Sequence, residues 1–399
     1  MTGTDQATAP LSGIRVLDLT EHMAGPFCTM VLADMGAEVI KLERPGKGES
    51  VRNWGAGGEP LNPYFRYINR NKKGITLNYK EPEGRALFLK LAEKADVLVE
   101  NYRPTVMPRH GLGYEDLVKL NPRLIYAQLS GFGYDGPAAA RGGFDLIAQG
   151  AGGLMHVTGE ADGPPTSVGV PICDLGTGMW ASQGILAALY ERERTGRGQL
   201  VECSLFETAV GYSSWTSAGW LADHKEPTRQ GSRHRQNAPY QRFATSDGFM
   251  MIGASSQSLW ERMATAMGHP EWLEDQRFTS STTRVENRPA LEQAMEDVLK
   301  TNPMAHWIEV LDAAGVPCGP VNTYEQLFND PQLQHREMVV YAHDDELGDV
   351  AHIRTPIKMG DRLSVRSVAP RLGEHNAEVF GDVGASAEEL AKLKDKGII

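Results

Sequence analysis

The sequence predicts an α/β fold built on a mostly parallel sheet, with a second, smaller α+β domain, and three observations point there. Strand-length apolar runs alternate with helix-length stretches through the first half of the chain, the pattern of successive βαβ units. A composition of 41% hydrophobic and 23% charged residues is that of a folded globular chain. A length of 399 residues exceeds what one small core accommodates, so more than one domain is expected.

The elements follow in order. Arg15–Thr20 (RVLDLT) is an apolar strand, and Pro26–Met35 a helix with proline in its first turn, where the missing N–H has no partner to lose. Glu38–Glu43 (EVIKLE) is the next strand. A helix over Glu83–Ala95 then leads to strands at Asp96–Asn101 and Leu124–Ser130. A long helix runs from about Leu175 to Arg194 and is stopped by Thr195-Gly196-Arg197-Gly198 before the strand Gln199–Ser204. Residues 1–222 therefore form the large domain. The polar, basic stretch 223–240, with two prolines, is read as a linker into a small domain over 241–328. There Phe243–Gly253 has the pattern of a hairpin turning at Ser246-Asp247-Gly248. Helices are expected near Ser258–Met267, Arg288–Lys300 and Met304–Ala314, with Val316–Asn322 extended. Near the end, Ser386-x-x-Glu389 is a capping box for a short helix.

The net charge of −11 gives no support for a nucleic-acid partner, although a local cluster of Arg and Lys can still receive a small anion. No stretch approaches the roughly 20 apolar residues that span a bilayer. The polar start Met1–Pro10 lacks signal-peptide character. Cys28, Cys173, Cys203 and Cys318 lack metal-ligand spacing, so no metal site and a reducing cytoplasm are expected, with Cys173 on a buried strand. The turn Glu21–Pro26 carries no GxGxxG, so the dinucleotide fingerprint is missing.

Asp174 is the leading candidate for chemistry. It stands where an apolar run meets the long helix, so it can serve simply as the cap of that helix. Gly176 and Gly178 give the other reading: they leave room for a substrate to reach a nucleophilic carboxylate.

The opening LSGIRVLDLTEHMAGPFCTMVLADMGAEVIKLERPGKGES resembles the N-terminus of family III CoA-transferases, a group that includes acyl-CoA racemases. NRNKKGITLN, ADVLVENYRP, LSGFGYDGP, TGRGQLVECSLFE, GVPCGPV and LGEH resemble it too, in the family's order over nearly the whole chain. The resemblance implies a Rossmann-like large domain, a smaller domain, a return of 329–399 to the large one, and two chains interlocked as a homodimer. It implies that Asp174 attacks an acyl-CoA thioester and passes CoA between carboxylic acids through anhydride and aspartyl-CoA thioester intermediates. Asp145 lies nearby in this scheme, and no cofactor is required because the CoA thioester is a substrate.

The racemase branch uses a Gly-His-Asp segment. Here Gly143-Phe144-Asp145 offers no proton-transferring side chain at Phe144. A catalytically silent acyl-CoA-binding protein is the alternative from another class. By resemblance, CoA contacts fall to Met23 and Ala24 near the thioester and to Arg44 at the adenine end. Leu77, Asn78, Tyr79, Lys80, Asn101, Tyr102, Arg103 and Arg109 complete that set. Met23 replaces the glutamine of formyl/oxalyl-type relatives, and their glycine run is replaced by GSRHRQNAPYQRF. Formyl-CoA and oxalate are therefore disfavoured, and succinyl-CoA with a small dicarboxylate acceptor is expected. Arg233 and Arg235 are candidates to hold the distal carboxylate, with a solvated basic linker as the alternative.

Overall fold

The computed structural model describes residues 9–54, 62–359 and 363–399. Six strands form one sheet in the order β3-β2-β1-β4-β5-β6, all neighbours parallel. They are β1 (Arg15–Asp18), β2 (Glu38–Glu43), β3 (Lys72–Thr76), β4 (Val97–Glu100), β5 (Ile125–Ser130) and β6 (Leu200–Ser204). Alternate residues of each strand point to opposite faces, and both faces are covered. Val16, Val39, Val97 and Ile125 pack on one side with the helices Ala24–Asp34 and Ile172–Thr195. Leu17, Ile40, Leu98 and Tyr126 pack on the other with Pro82–Glu93 and the C-terminal helices Asn376–Asp382 and Ala387–Asp395. Double burial explains why these strands read as nearly continuous apolar runs.

β3 escaped sequence reading because KKGIT has no apolar pattern. Its lysines are used at specific places: Lys72 is buried as an ion, and Lys73 pairs with Glu38 and Glu378. β3 is also an edge strand, and the C-terminal segment covers its exposed edge. Gly74 N–H donates to His375 Nδ1 at 3.1 Å, and Thr76 N–H to Asn376 Oδ1 at 2.8 Å.

By internal contacts the chain divides into two units. One comprises residues 1–154, 168–223 and 334–399, and the other 155–167 and 224–333. The supposed linker is thus part of the second unit from His224 onward, together with a short excursion at 155–167 that sequence reading did not separate. The second unit contains the antiparallel sheet β7 (Tyr240–Ala244), β8 (Phe249–Gly253) and β9 (Cys318–Pro320), in that order. A core around Trp260, Phe243 and Met295 backs it. Buried Arg284 donates to the Ala238 and Phe278 carbonyls and lies over the Trp260 ring, fixing the chain where it enters β7. A further hairpin, β10 (Val339–Asp344) with β11 (Gly348–Ile353), belongs to the first unit. The capping box at Ser386 and Glu389 forms as the sequence predicts.

Candidate active site

The strand order reverses between β1 and β4, so the loops leaving their carboxyl ends diverge and open a crevice, the usual ligand position in such sheets. A cavity of about 500 Å³ lies there. Thr20 and Glu21 line it after β1, Arg44 and Lys47 after β2, Leu77 to Lys80 after β3, and Tyr102 and Arg109 after β4. Seven of the residues marked by resemblance therefore come together: Arg44, Leu77, Asn78, Tyr79, Lys80, Tyr102 and Arg109. The remaining four do not line it. Asn101 instead clasps the cavity wall, accepting from the Glu21 N–H at 2.9 Å and donating to the Glu21 carbonyl at 2.7 Å. Arg103 extends toward Gly142, Met23 precedes the helix Ala24–Asp34, and Ala24 is buried.

Lys47 was missed, and its signal was present. It is flanked by Gly46 and Gly48, at φ 70° and 64°, so the turn Pro45–Gly48 presents it at the rim. The side chains of Lys47, Lys80 and Arg109 make no hydrogen bond or ion pair among the described residues, whereas Arg44 pairs with Glu21 at 2.6 Å. Three uncommitted cations in one cavity suit a polyphosphate despite the acidic chain. A cavity of similar size in the second unit, about 480 Å³, is lined by Met251, Leu259, Pro317 and their neighbours with no cation among them.

A fully buried ion network holds the loop after β1. Asp18 accepts from the Thr20 N–H and hydroxyl, from the Thr29 hydroxyl at 2.7 Å and from Lys72 Nζ at 2.9 Å. Lys41 Nζ donates to the Thr20 carbonyl and pairs with Glu49, each at 3.0 Å, and Glu49 accepts from the His22 N–H at 2.9 Å. Burial opposes ionising Asp18, but Lys72 and Lys41 outweigh it and hold the carboxyl far below its ordinary range. Burial likewise opposes the Lys41 charge, and Glu49, Asp18 and Glu43 overcome it, pushing the ammonium up to about 12.

Asp174 is not the cap of its helix. The helix starts at Ile172, which places Asp174 third in its first turn and Cys173 in the helix and not on a strand. The capping carboxylate arrives from another element: Asp145 Oδ1 accepts the Cys173 N–H at 2.8 Å and the Asp174 N–H at 3.2 Å, while Oδ2 accepts Gln149 Nε2 at 2.6 Å. Both Asp145 oxygens are thereby engaged, and the Asp174 side-chain oxygens have no hydrogen bond among the described residues. Burial first, and the Asp145 charge second, push the Asp174 carboxyl up to about 7. The two glycines do not open space. A Cβ at Gly176 would collide with the Tyr212 ring, and one at Gly178 would come within 2.6 Å of the Ala24 carbonyl oxygen. They exist for close packing.

A doubly wound α/β enzyme with a cationic crevice at the switch point and a raised carboxyl on a helix start is the class that fold and site define. The chain belongs to CoA-transferase family III, whose sequence profile matches residues 11–376, and it is a CoA-transferase. It is 37% identical to the succinyl-CoA:glutarate CoA-transferase of Mus musculus, over 98% of this chain and 90% of the relative. It is 40% identical to the acetyl-CoA:oxalate CoA-transferase of Acetobacter aceti, over 94% and 96% respectively. Among solved structures it resembles a CAIB/BAIF family protein from Brucella suis, with a TM-score of 0.85 and 37% identity over 94% of this chain and all of that one.

Proposed function

We propose that this enzyme moves CoA from an acyl-CoA donor, with succinyl-CoA as the reference donor, to a small dicarboxylic acid through covalent intermediates on Asp174. The observation that carries the mechanism is the Asp145–Asp174 arrangement: one carboxylate satisfies the amides of the helix start and leaves the other an unengaged, partly buried nucleophile. An Asp174 oxygen attacks the thioester carbonyl, the C–S bond breaks, and CoA leaves as thiolate with a mixed anhydride formed. The thiolate attacks the aspartyl carbonyl, the first acid departs as carboxylate, and Asp174 holds CoA as a thioester. The acceptor carboxylate then displaces thiolate to give a second anhydride. Thiolate attack on its acyl carbon releases the new acyl-CoA and restores Asp174.

Lys47, Lys80 and Arg109 receive the phosphates in this reading, with Asn78, Tyr79 and Tyr102 along the ligand. The dicarboxylate preference is supported by relatives named for glutarate and for oxalate. Oxalate itself stays disfavoured here by Met23 and by the missing glycine run. Of the two arginines, Arg233 is engaged by Glu292 in a fork, with Nη2 to Oε2 at 2.8 Å, whereas the Arg235 side chain makes no hydrogen bond or ion pair among the described residues. Of the two, only Arg235 therefore keeps its guanidinium available to an anion.

The helix Ser214–Asp223 has no buried residue and leaves Trp215 81% and Leu221 68% exposed, an apolar face that a second, interlocked copy would cover. Incubation with acyl-CoA followed by hydroxylamine or borohydride should mark the peptide bearing Asp174. Asp174→Asn should lose both the mark and CoA exchange between acids while still binding CoA, and near-normal turnover in that variant would refute the assignment.

A further inference from the structure

The loop after β1 carries a histidine that the mechanism above does not use. His22 follows Glu21, which lines the cavity, and its backbone stands at φ 69°, a left-handed conformation that histidine enters more readily than most residues but that still needs support. The buried carboxylate of Glu49 holds its N–H at 2.9 Å, and Asn101 clamps the preceding residue on both sides, so the conformation is imposed by neighbours. The imidazole lies beside two rings, with centroids 5.8 Å from Trp54 and 5.8 Å from Phe144, the latter edge-on at 86°. Phe144 is 64% exposed and Trp54 48%, so both keep a free surface. Phe144 immediately precedes Asp145, whose carboxylate binds the Asp174 N–H. The imidazole thus adjoins both the loop that lines the crevice and the residue that leads into Asp145.

The two ring nitrogens differ. Among the described residues neither ring nitrogen has a hydrogen-bond partner, and of the two only Nδ1 is enclosed. In the neutral ring the proton avoids an enclosed site without an acceptor, because an N–H there would forfeit its hydrogen bond. It therefore sits on Nε2, which becomes an outward-facing donor framed by two aromatic surfaces.

We propose that His22 is the specificity-determining residue of the acyl site: its Nε2–H donates to the distal carboxylate of a short dicarboxylic acyl group lying along the Trp54 and Phe144 rings. This rests on the reading that Asp174 is the nucleophile, since it places the far end of the acyl chain toward His22 when the near carbonyl meets Asp174. A monocarboxylic chain of equal length would meet the same rings but leave the donor unpaired, and that difference discriminates between the two.

The experiment compares kcat/KM for glutarate with that for valerate, at a fixed acyl-CoA donor, in the wild type, His22→Phe and His22→Asn. His22→Phe keeps a ring and loses the donor. His22→Asn keeps a donor and tolerates a positive φ. The glutarate-to-valerate ratio should fall about tenfold or more in His22→Phe and recover in large part in His22→Asn, as expected for one charge-assisted hydrogen bond. An unchanged ratio in His22→Phe overturns the proposal. So does an equal loss for both acids, which would mean that the ring only props the loop, or a wild type that prefers valerate. Covalent marking of Asp174 is read in parallel on all three proteins. If it is absent from the wild type, the transfer mechanism itself fails, and if it is present in all three with the ratio unmoved, only the His22 assignment fails.

Discussion

At the scale of single residues, the site depends on two carboxylates that share one helix start and are put to different uses. Asp145 spends its oxygens on two amides and a glutamine, and Asp174 has its own amide held and its carboxyl pushed up to about 7 by burial and by Asp145. An acid whose folded value lies above its ordinary 3.8 destabilises the fold when ionised. That penalty is absent below pH about 4, grows between about 4 and 7, and is complete above. Asp174→Asn should therefore be more stable than the wild type at pH 8, by about 1–3 kcal/mol after allowance for partial solvation, and indistinguishable from it at pH 4, as read by urea midpoints. The nucleophile must be ionised, so kcat/KM for acyl-CoA should rise through pH about 7. Glu100 complicates a naive assignment because burial pushes it, too, up to about 7. Its oxygens, however, accept from the Tyr102 N–H at 2.7 Å and the Tyr134 hydroxyl at 3.1 Å, which ties it to two loops, whereas Asp174 keeps its side-chain oxygens unengaged among the described residues. Glu100→Gln should leave the position of the pH limb unchanged.

At the scale of elements, the helix Ile172–Thr195 is placed by its glycines. Gly178 allows the helix Ala24–Asp34 to approach until a Cβ would meet the Ala24 carbonyl, the Phe27 ring at 2.9 Å and the Cys28 amide at 3.1 Å. The first of these helices carries Asp174, and the second starts directly after Met23. Gly178→Ala should force the pair apart, cost about 1–3 kcal/mol by overpacking, and lower transfer more than CoA affinity, because the cavity lies on other loops. Thermal unfolding and CoA titration, run side by side, check this; a loss of affinity equal to the loss of rate would contradict it. Local pattern located both helices to within three residues at each end, because periodicity and the stop Thr195-Gly196 are properties of neighbouring residues. The same pattern could not tell an open glycine from a packed one.

At the scale of the whole molecule, the last stretch of the chain completes the first. Residues 334–399 rejoin the large unit, Ile398 accepts the Asn78 N–H at 2.8 Å, and Gly397 lines the cavity beside Lys80. The exposed apolar helix Ser214–Asp223 belongs to the same unit. If two chains interlock through such surfaces, dissociation requires unfolding and becomes independent of concentration. Mass photometry after dilution to nanomolar protein should still find dimers, and a reversible monomer population there would count against interlocking.

The sequence alone determined the α/β class, most strands of the sheet, the capped C-terminal helix and the family, because each depends on residues close together in the chain or on motifs in fixed order. Asp174 and the seven cavity residues were marked by motif, without any view of how they meet. Tertiary structure decided the rest. Asp145 caps a helix 28 residues further on, Arg233 is engaged by a glutamate 59 residues away, and a polar edge strand is sealed by side chains about 300 residues downstream. Lys72 is buried as an ion beneath a loop whose own sequence does not mention it. These pairings share one physical reason. An ion or amide removed from water must find a partner wherever the fold brings one, and no local spacing along the chain records which partner that is.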